Sequence, residues 1–345
     1  MFKRNGKEFY NRMNLKNTYI DNKILKLSPA LKDYIWGGKR LKEEYGKKSE
    51  TEIVAESWEL SCHKNGMTRI IGGKYDGLTL GDVISCAREC GEDWLGTNCK
   101  AFKAFPLLIK LIDANNSLSV QVHPDDIYAK CHENGGNGKT EVWYVVEAAP
   151  DAELIYGLAC DVTKDEFKTA IENNELKKYL KSVKVKAGDV FFVEAGLIHA
   201  IGKGIVICEI QQNSDTTYRV YDWGRMGADG KPRELHIEKA LDVMTLTKNE
   251  VRDFSPELIF EKDGVKEYKI ADCNYFNVKK REQTKQTEIA TDGNSFVALT
   301  FLKGSGYIES ENEKVEFTKG ESVFIPAVPD RYIISGKCEY LITAV

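Results

Sequence analysis

Two histidines and a glutamate in this chain stand where they could hold a metal ion. They are His123 in SVQVHP, Glu141 at the head of EVWYVVEA, and His199 in GLIHA. A zinc ion that does chemistry uses about three ligands of this kind and keeps an open position for water or substrate. Gln121 stands two residues before His123, so on a strand the two side chains share one face. Glu141 opens the next strand after the turn-rich GGNGK. His199 follows much later, on a strand that a β-barrel could bring back beside the others. A single histidine in a strand usually just packs among its neighbours. Here the spacing of the set points to a site at a barrel mouth, where ligand sites commonly form.

The elements that must position these residues read as β structure. From Phe105 to Gln212 the runs PLLIKLID, SLSVQVH, EVWYVVEA, AELIYG, VFFVEA and IVICEIQQ are short and rich in β-branched and aromatic residues. Strands of this length and spacing favour an antiparallel sandwich or barrel. The first hundred residues mix strand-like runs such as IVAESWELS with a helix expected over residues 80–90, and read as an elaboration of the larger fold. Thr163 and Glu166 have the spacing of a capping box and predict a helix running toward Leu180. Residues 234–246 (ELHIEKALDVMTL) carry apolar residues at helical spacing and predict a connector helix. The lysine- and glutamate-rich residues 248–266 are expected to cross between domains. Beyond them YFNVKKRE, SFVALTFLKG, GYIES, KVEFTKG, SVFIPA and RYIISG form a second set of strands.

The two sets echo each other. GDVFFVEAGLIH, from Gly188 to His199, has the form of GESVFIPAVPDR, from Gly320 to Arg331, at an offset of 132 residues. Two barrels built on one plan are therefore expected. The second motif ends on Arg331 rather than histidine, and SFVALTFLKGSGYIE contains no histidine. The second barrel is accordingly expected to bind no metal.

Composition narrows the partners. A chain of 345 residues exceeds the usual size of one domain. A net charge of -4 leaves no electrostatic footprint for nucleic acid. No stretch is apolar and long enough to cross a bilayer, and MFKRNGKEFYNRMNLKN has no apolar run behind its positive charges, so no secretory signal is read there. The nine cysteines are scattered without a CxxC pair, which suits reduced thiols in a cytoplasm. Cys86 and Cys90, four apart on the expected helix, read as packing residues. His63, His132 and His236 are not counted as ligands; His132 is expected to be exposed.

The spacing resembles the cupin superfamily, whose second motif has the form G, five residues, P-x-G, two residues, H. Gly188, Gly196 and His199 fit it, with Glu194 at the proline position. A closer resemblance is to the type I phosphomannose isomerases. It rests on PALKDYIWGG, ESWELS, FPLLIKLIDANNSLSVQVHPDD, GKTEVWYVVEA, AGLIHAIGKG and EIQQNSDTTYRVYDWGR. The resemblance implies a mainly β fold of two cupin, jelly-roll-like barrels with short helical insertions. Residues 1–250 would form the metal-binding domain with helical elaborations, and residues 251–345 a cupin-like domain without metal ligands. It implies one zinc ion per chain on His123, Glu141 and His199, with Gln121 as a fourth ligand. It also implies Arg219 as the active-site arginine, with Lys110, Ser119, Lys139 and Arg225 around the phosphate or the reacting end of the sugar. The expected substrate is a small sugar phosphate, mannose 6-phosphate interconverting with fructose 6-phosphate. The expected assembly is a monomer or homodimer.

Moving a carbonyl between C1 and C2 requires taking a proton from the carbon next to a carbonyl and holding an enediol. Negative charge developing on oxygen is the obstacle. A Lewis-acid zinc lowers it by several kcal/mol, and a fixed cation such as Arg219 or Lys139 adds to this. The base is left open among Glu209, Asp215 and a water on the zinc. Glu209 and Asp215 read equally well as structural partners of Arg219 or Arg225. Arg225 and Lys110 could offset the phosphate charge, and Asp215 is counted with them on the substrate side. Two other readings stay open. A non-catalytic sugar-phosphate binder should lack a ligand or Arg219, and neither is missing. An iron(II) oxygenase could also use two histidines and a carboxylate.

Overall fold

The computed structural model describes residues 23–227, 230–250 and 255–345. The basic segment before Lys23 and residues 251–254 of the expected crossing lie outside them. The chain divides into two compact units that do not follow chain order. Among the described residues, one comprises 31–58, 107–227, 230–250 and 255–257, the other 23–30, 59–106 and 258–345.

Two sheets, built mostly from residues 31–58 and 107–257, position the candidate ligands. A seven-stranded sheet runs in the order Val190–Val193, Glu141–Ala148, Ile205–Gln212, Leu107–Ala114, Glu56–His63 and Ala30–Lys32, with Gly66–Met67 paired to Glu56–His63. A five-stranded sheet runs Leu180–Lys184, Glu153–Leu158, His199–Ala200, Val120–Val122 and Tyr218–Tyr221. Strand periodicity divides each side-chain row between two faces. On Ile205–Gln212, one face carries Ile205, Ile207, Glu209 and Gln211. On Leu107–Ala114, the corresponding face carries Leu108, Lys110, Ile112 and Ala114. The apolar members of these rows pack with Trp143, Val145, Phe191, Leu154 and Tyr156 from both sheets. The row on Ile205–Gln212 is therefore apolar at one end and polar at the other, and in the facing row Lys110 lies between Leu108 and Ile112.

The opposite face of the five-stranded sheet is apolar. Val120, Val122, Ala200, Tyr218 and Val220 pack with Phe167, Ala170's neighbour Ile171, Ala240 and Leu241 of two helices, Lys164–Glu172 and Ile237–Val243. The capping box is present: Thr163 Oγ1 accepts from the Glu166 N–H and the Glu166 carboxylate accepts from the Thr163 N–H. This helix does not reach Leu180. It stops at Glu172, Asn174 takes a left-handed φ of 58°, and a 3-10 turn at Leu176–Lys178 leads into the strand at Leu180. The connector helix is also shorter than expected, because Met244 adopts an extended conformation (ψ 144°).

The other unit holds an eleven-stranded sheet. Its main path is Glu257–Lys262, Val265–Asp272, Asn277–Gln283, Cys338–Ala344, Val297–Glu309, Ser322–Ile325, Leu25–Ser28 and Arg69–Ile70. Residues expected as a crossing are thus partly strand, in Glu257–Lys262 and the start of Val265–Asp272. SFVALTFLKG and GYIES form one strand of 13 residues, whose register shifts after Phe301. The helix near residue 80 is Leu80–Glu89, capped by Thr79. Cys86 is buried there, but Cys90 is exposed, so only the first of the two packs as expected. All nine cysteines are free thiols.

The sequence echo is also a structural one. Gly188 and Gly320 both take positive φ, 96° and 86°, and lead into the strands Val190–Val193 and Ser322–Ile325. His199 ends the first motif fully buried, whereas Arg331 ends the second on the surface, paired with Glu288 at 3.0 Å. The fold is mainly β. Among the described residues each sheet runs between end strands and none closes into a ring, so the hydrogen bonding does not draw two closed barrels.

Candidate metal centre

Strand register, not sequence distance, assembles the site. In the five-stranded sheet His199 lies opposite Gln121, and Gln121 lies opposite Arg219. In the seven-stranded sheet Trp143 lies opposite Glu209, and Glu209 opposite Lys110. Glu141 faces inward two residues before Trp143, and His123 directly follows Val122. The two polar rows converge at the edge of the core.

One ligand atom from each of His123, Glu141 and His199 lies within 4.8 Å of the others, and all three side chains are buried. His123 Nε2 is 3.3 Å from Glu141 Oε1. His199 Nδ1 is 2.8 Å from the Leu197 carbonyl oxygen. That contact fits an Nδ1–H donor and leaves the Nε2 lone pair for a ligand, the usual way a second contact fixes the tautomer of a metal-binding histidine. The Gln121 amide is 3.4 Å from His199 Nε2.

Electrostatics suit a cation. Burial, with the Lys139 charge, pushes His123 down to about 3, and burial lowers His199 as well. Both imidazoles are neutral near pH 7, as a ligand must be. Burial opposes charge on Glu141, but the Lys139 charge beside it outweighs this and holds its carboxyl well below the usual range. Lys139 Nζ is 2.5 Å from Glu141 Oε1 and 3.1 Å from His123 Nε2, and Glu141 Oε1 is buried without a hydrogen-bond partner. A buried carboxylate beside two neutral imidazoles is a donor set that fits a divalent ion.

Beside these atoms stands a second charged group. Lys110 Nζ donates to Glu209 Oε1 at 2.8 Å, lies 4.0 Å from Glu56 and sits 5.5 Å from the Trp58 ring centre. Lys110 is buried, so its ammonium is held by carboxylates rather than displayed to solvent. Burial and the Glu141 charge push the Glu209 carboxyl upward against the pull of Lys110. Tyr34, 42% exposed, is raised by burial and by Glu56, with Lys110 and Asp215 also acting on it. It marks the solvent side of this group, where Asp215 is exposed.

The arginines are held from behind. Arg219 Nε donates to Ser119 Oγ at 3.2 Å and its Nη1 to the Glu234 carbonyl at 3.0 Å. Arg225 Nη1 donates to the Ser117 carbonyl at 2.6 Å, and its Nη2 donates to Asp222. The carboxylate that holds Arg225 is therefore Asp222, which also takes Arg233 at 2.7 and 2.6 Å, and Glu209 pairs with Lys110. Neither Asp222 nor Arg233 was singled out in the sequence, although Asp222 stands three residues before Arg225. Trp143 was likewise missed, and its signal was its position two residues after Glu141. Of the remaining histidines, His132 is exposed and stacked on Tyr128. His63 Nδ1 accepts from the Asn65 N–H, and His236 accepts from the Arg219 N–H.

Burial opposes the charge on Asp222, but hydrogen bonds from Arg233 and Arg225 outweigh it and hold its carboxyl below the ordinary 3.8. A depressed folded pKa stabilises the fold above the unfolded value, and this stabilisation is lost as pH falls through the folded one. Urea unfolding should thus show Asp222→Asn less stable than wild type at pH 7, with the gap narrowing on acidification below about 4. A gap that stays constant through that range would remove the ion pairs as its cause.

Residues 24–151 match the family described as phosphomannose isomerase type I, catalytic domain, and residues 266–345 match mannose-6-phosphate isomerase, cupin domain. A Bacillus subtilis (strain 168) protein described as probable mannose-6-phosphate isomerase GmuF is 39% identical over 317 residues, covering 92% of this chain and 98% of the relative. The chain belongs to the type I phosphomannose isomerase family. A further relative from the same organism, mannose-6-phosphate isomerase ManA, is 36% identical over 91% of this chain and 96% of its own. The crystal structure of the mannose 6-phosphate isomerase from Bacillus subtilis superimposes with a TM-score of 0.84 at 34% identity, covering 94% of this chain and all of that one. Membership makes this phosphomannose isomerase relative an enzyme of the aldose–ketose isomerase class. Its possible metal site is the His123, Glu141 and His199 cluster. Among the described residues no helix is long and apolar enough to cross a membrane.

Proposed function

We propose that this chain is a zinc-dependent isomerase that interconverts mannose 6-phosphate and fructose 6-phosphate through an enediol-type intermediate. The observation that carries the reading is the packing of one buried donor set, His123, Glu141 and His199, against Lys139 and the Lys110–Glu209 pair. His123, Glu141 and His199 hold the ion, with Gln121 in reach as a fourth ligand. Bound there, zinc supplies Lewis acidity toward the sugar oxygens.

The chain's own groups supply the rest. Glu209, its carboxyl raised toward the working pH, takes the proton from C2 of the aldose while the C1 oxygen gains one. Return of a proton to C1, with loss of the O2 proton, gives the ketose. Lys139 and Arg219 offset the negative charge that develops on those oxygens. Arg225, with Ser119, Asp215 and the buried Lys110 charge, shapes the electrostatics of the substrate side. In the same reading residues 1–250 act as a metal-binding cupin domain and residues 251–345 as a cupin-like domain without metal ligands. Each is a jelly-roll-like barrel in outline, and the repeated motif at Gly188 and Gly320 supports this.

The test is a coupled assay on mannose 6-phosphate with the metal content measured. Zinc-loaded protein should form fructose 6-phosphate, a chelator should abolish turnover, and added zinc should restore it. Zinc-loaded protein that forms no fructose 6-phosphate would sink the proposal.

A further inference from the structure

We infer that Trp143 is a positioning residue of this centre, whose single indole N–H is shared between Glu141 and Glu209 and fixes both carboxylates at once. Trp143 Nε1 is 2.9 Å from Glu141 Oε2 and 3.0 Å from Glu209 Oε2. The geometry follows from two separate rules of the sheet. Trp143 shares a face with Glu141 because it stands two residues later on one strand. It meets Glu209 because the two are opposite each other in the pairing with Ile205–Gln212. Its ring, fully buried, also sets an edge against His199, with ring centres 5.2 Å apart and planes at 80°.

An indole N–H can only donate. By engaging Oε2 of both carboxylates, it decides which oxygen each keeps for other work. Glu141 Oε1 is turned to Lys139 and His123, and Glu209 Oε1 to Lys110. The same proton lies between two buried carboxylates and offsets part of their repulsion, which is strong in a dry site. Phenylalanine would fill most of the space and keep the contact with His199, but it would leave both Oε2 atoms without this donor. Freed to turn, Glu141 would present its oxygens to the ion in more than one way.

This inference rests on the zinc-isomerase reading, so its test uses binding as well as turnover. In Trp143→Phe, zinc affinity measured by competition with a chromophoric chelator should fall by about 10- to 100-fold. The visible absorption of the cobalt(II)-loaded protein should change shape, and kcat at saturating zinc should fall while KM for mannose 6-phosphate holds. Wild-type zinc affinity with an unchanged cobalt spectrum overturns the inference, whatever the turnover. Should the variant fail to fold, 15N-labelled wild type decides: among the five tryptophan indole N–H signals, the one from Trp143 should shift when zinc is added. No indole response to bound zinc overturns it. Zinc-binding wild type without isomerase activity would defeat the functional reading alone, because the affinity comparison does not use turnover.

Discussion

His199→Ala is expected to lose zinc and turnover together, and His123→Ala to do the same. Each imidazole supplies one of the three clustered donors, and each is buried. Loss of Lewis-acid stabilisation worth several kcal/mol corresponds to about three to four powers of ten in kcat/KM. Truncating a buried side chain also destabilises the fold, and thermal unfolding separates the two effects. Zinc should raise the Tm of wild type, because it binds the folded state, and should leave that of either alanine variant unmoved. Gln121→Ala should do less, since its amide is partly exposed and stands beside the centre rather than within its buried cluster. Metal analysis by mass spectrometry checks the claim directly. A His199→Ala protein that keeps full zinc and wild-type kcat would remove His199 from the ligand set.

The ligands were legible in the sequence because each lies at a position that strand periodicity and a spaced motif mark independently. Thr163 and Glu166 were legible for a similar reason, since a capping box is local chemistry. What the sequence left open depended on how side chains pair in space. Lys110 reads as a cation for the phosphate or the reacting end of the sugar in one dimension, and only its register opposite Glu209 adds that it is the buried partner of a carboxylate. Asp222 takes Arg225 because the turn at residues 222–225 folds back on itself, a local geometry that composition does not report. Residues 257–262 looked like a linker for their charges. All six are exposed, so the strand carries no pattern of burial from which it could have been read. The grouping of residues 59–106 with the C-terminal strands was likewise out of reach, because nothing local announces which distant segment a strand will join.

Glu209→Gln is expected to keep zinc and to lower kcat by about two to four powers of ten, the range of a positioned general base. It should also weaken the fold. Lys110 would keep its buried ammonium and lose the carboxylate at 2.8 Å, with Glu56 at 4.0 Å as a poorer partner. Breaking a buried ion pair from one side costs about 3–5 kcal/mol. The two effects can be pulled apart. Lys110→Met added to Glu209→Gln removes the unmatched charge, and a buried pair replaced from both sides is often close to neutral for stability. Urea unfolding of the double variant should therefore recover most of the loss. Turnover should not recover, because glutamine cannot accept the proton from C2 whatever stands opposite it. If kcat rises with stability in the double variant, Glu209 works only by holding Lys110, and the base must be sought elsewhere, with exposed Asp215 the next carboxylate to test.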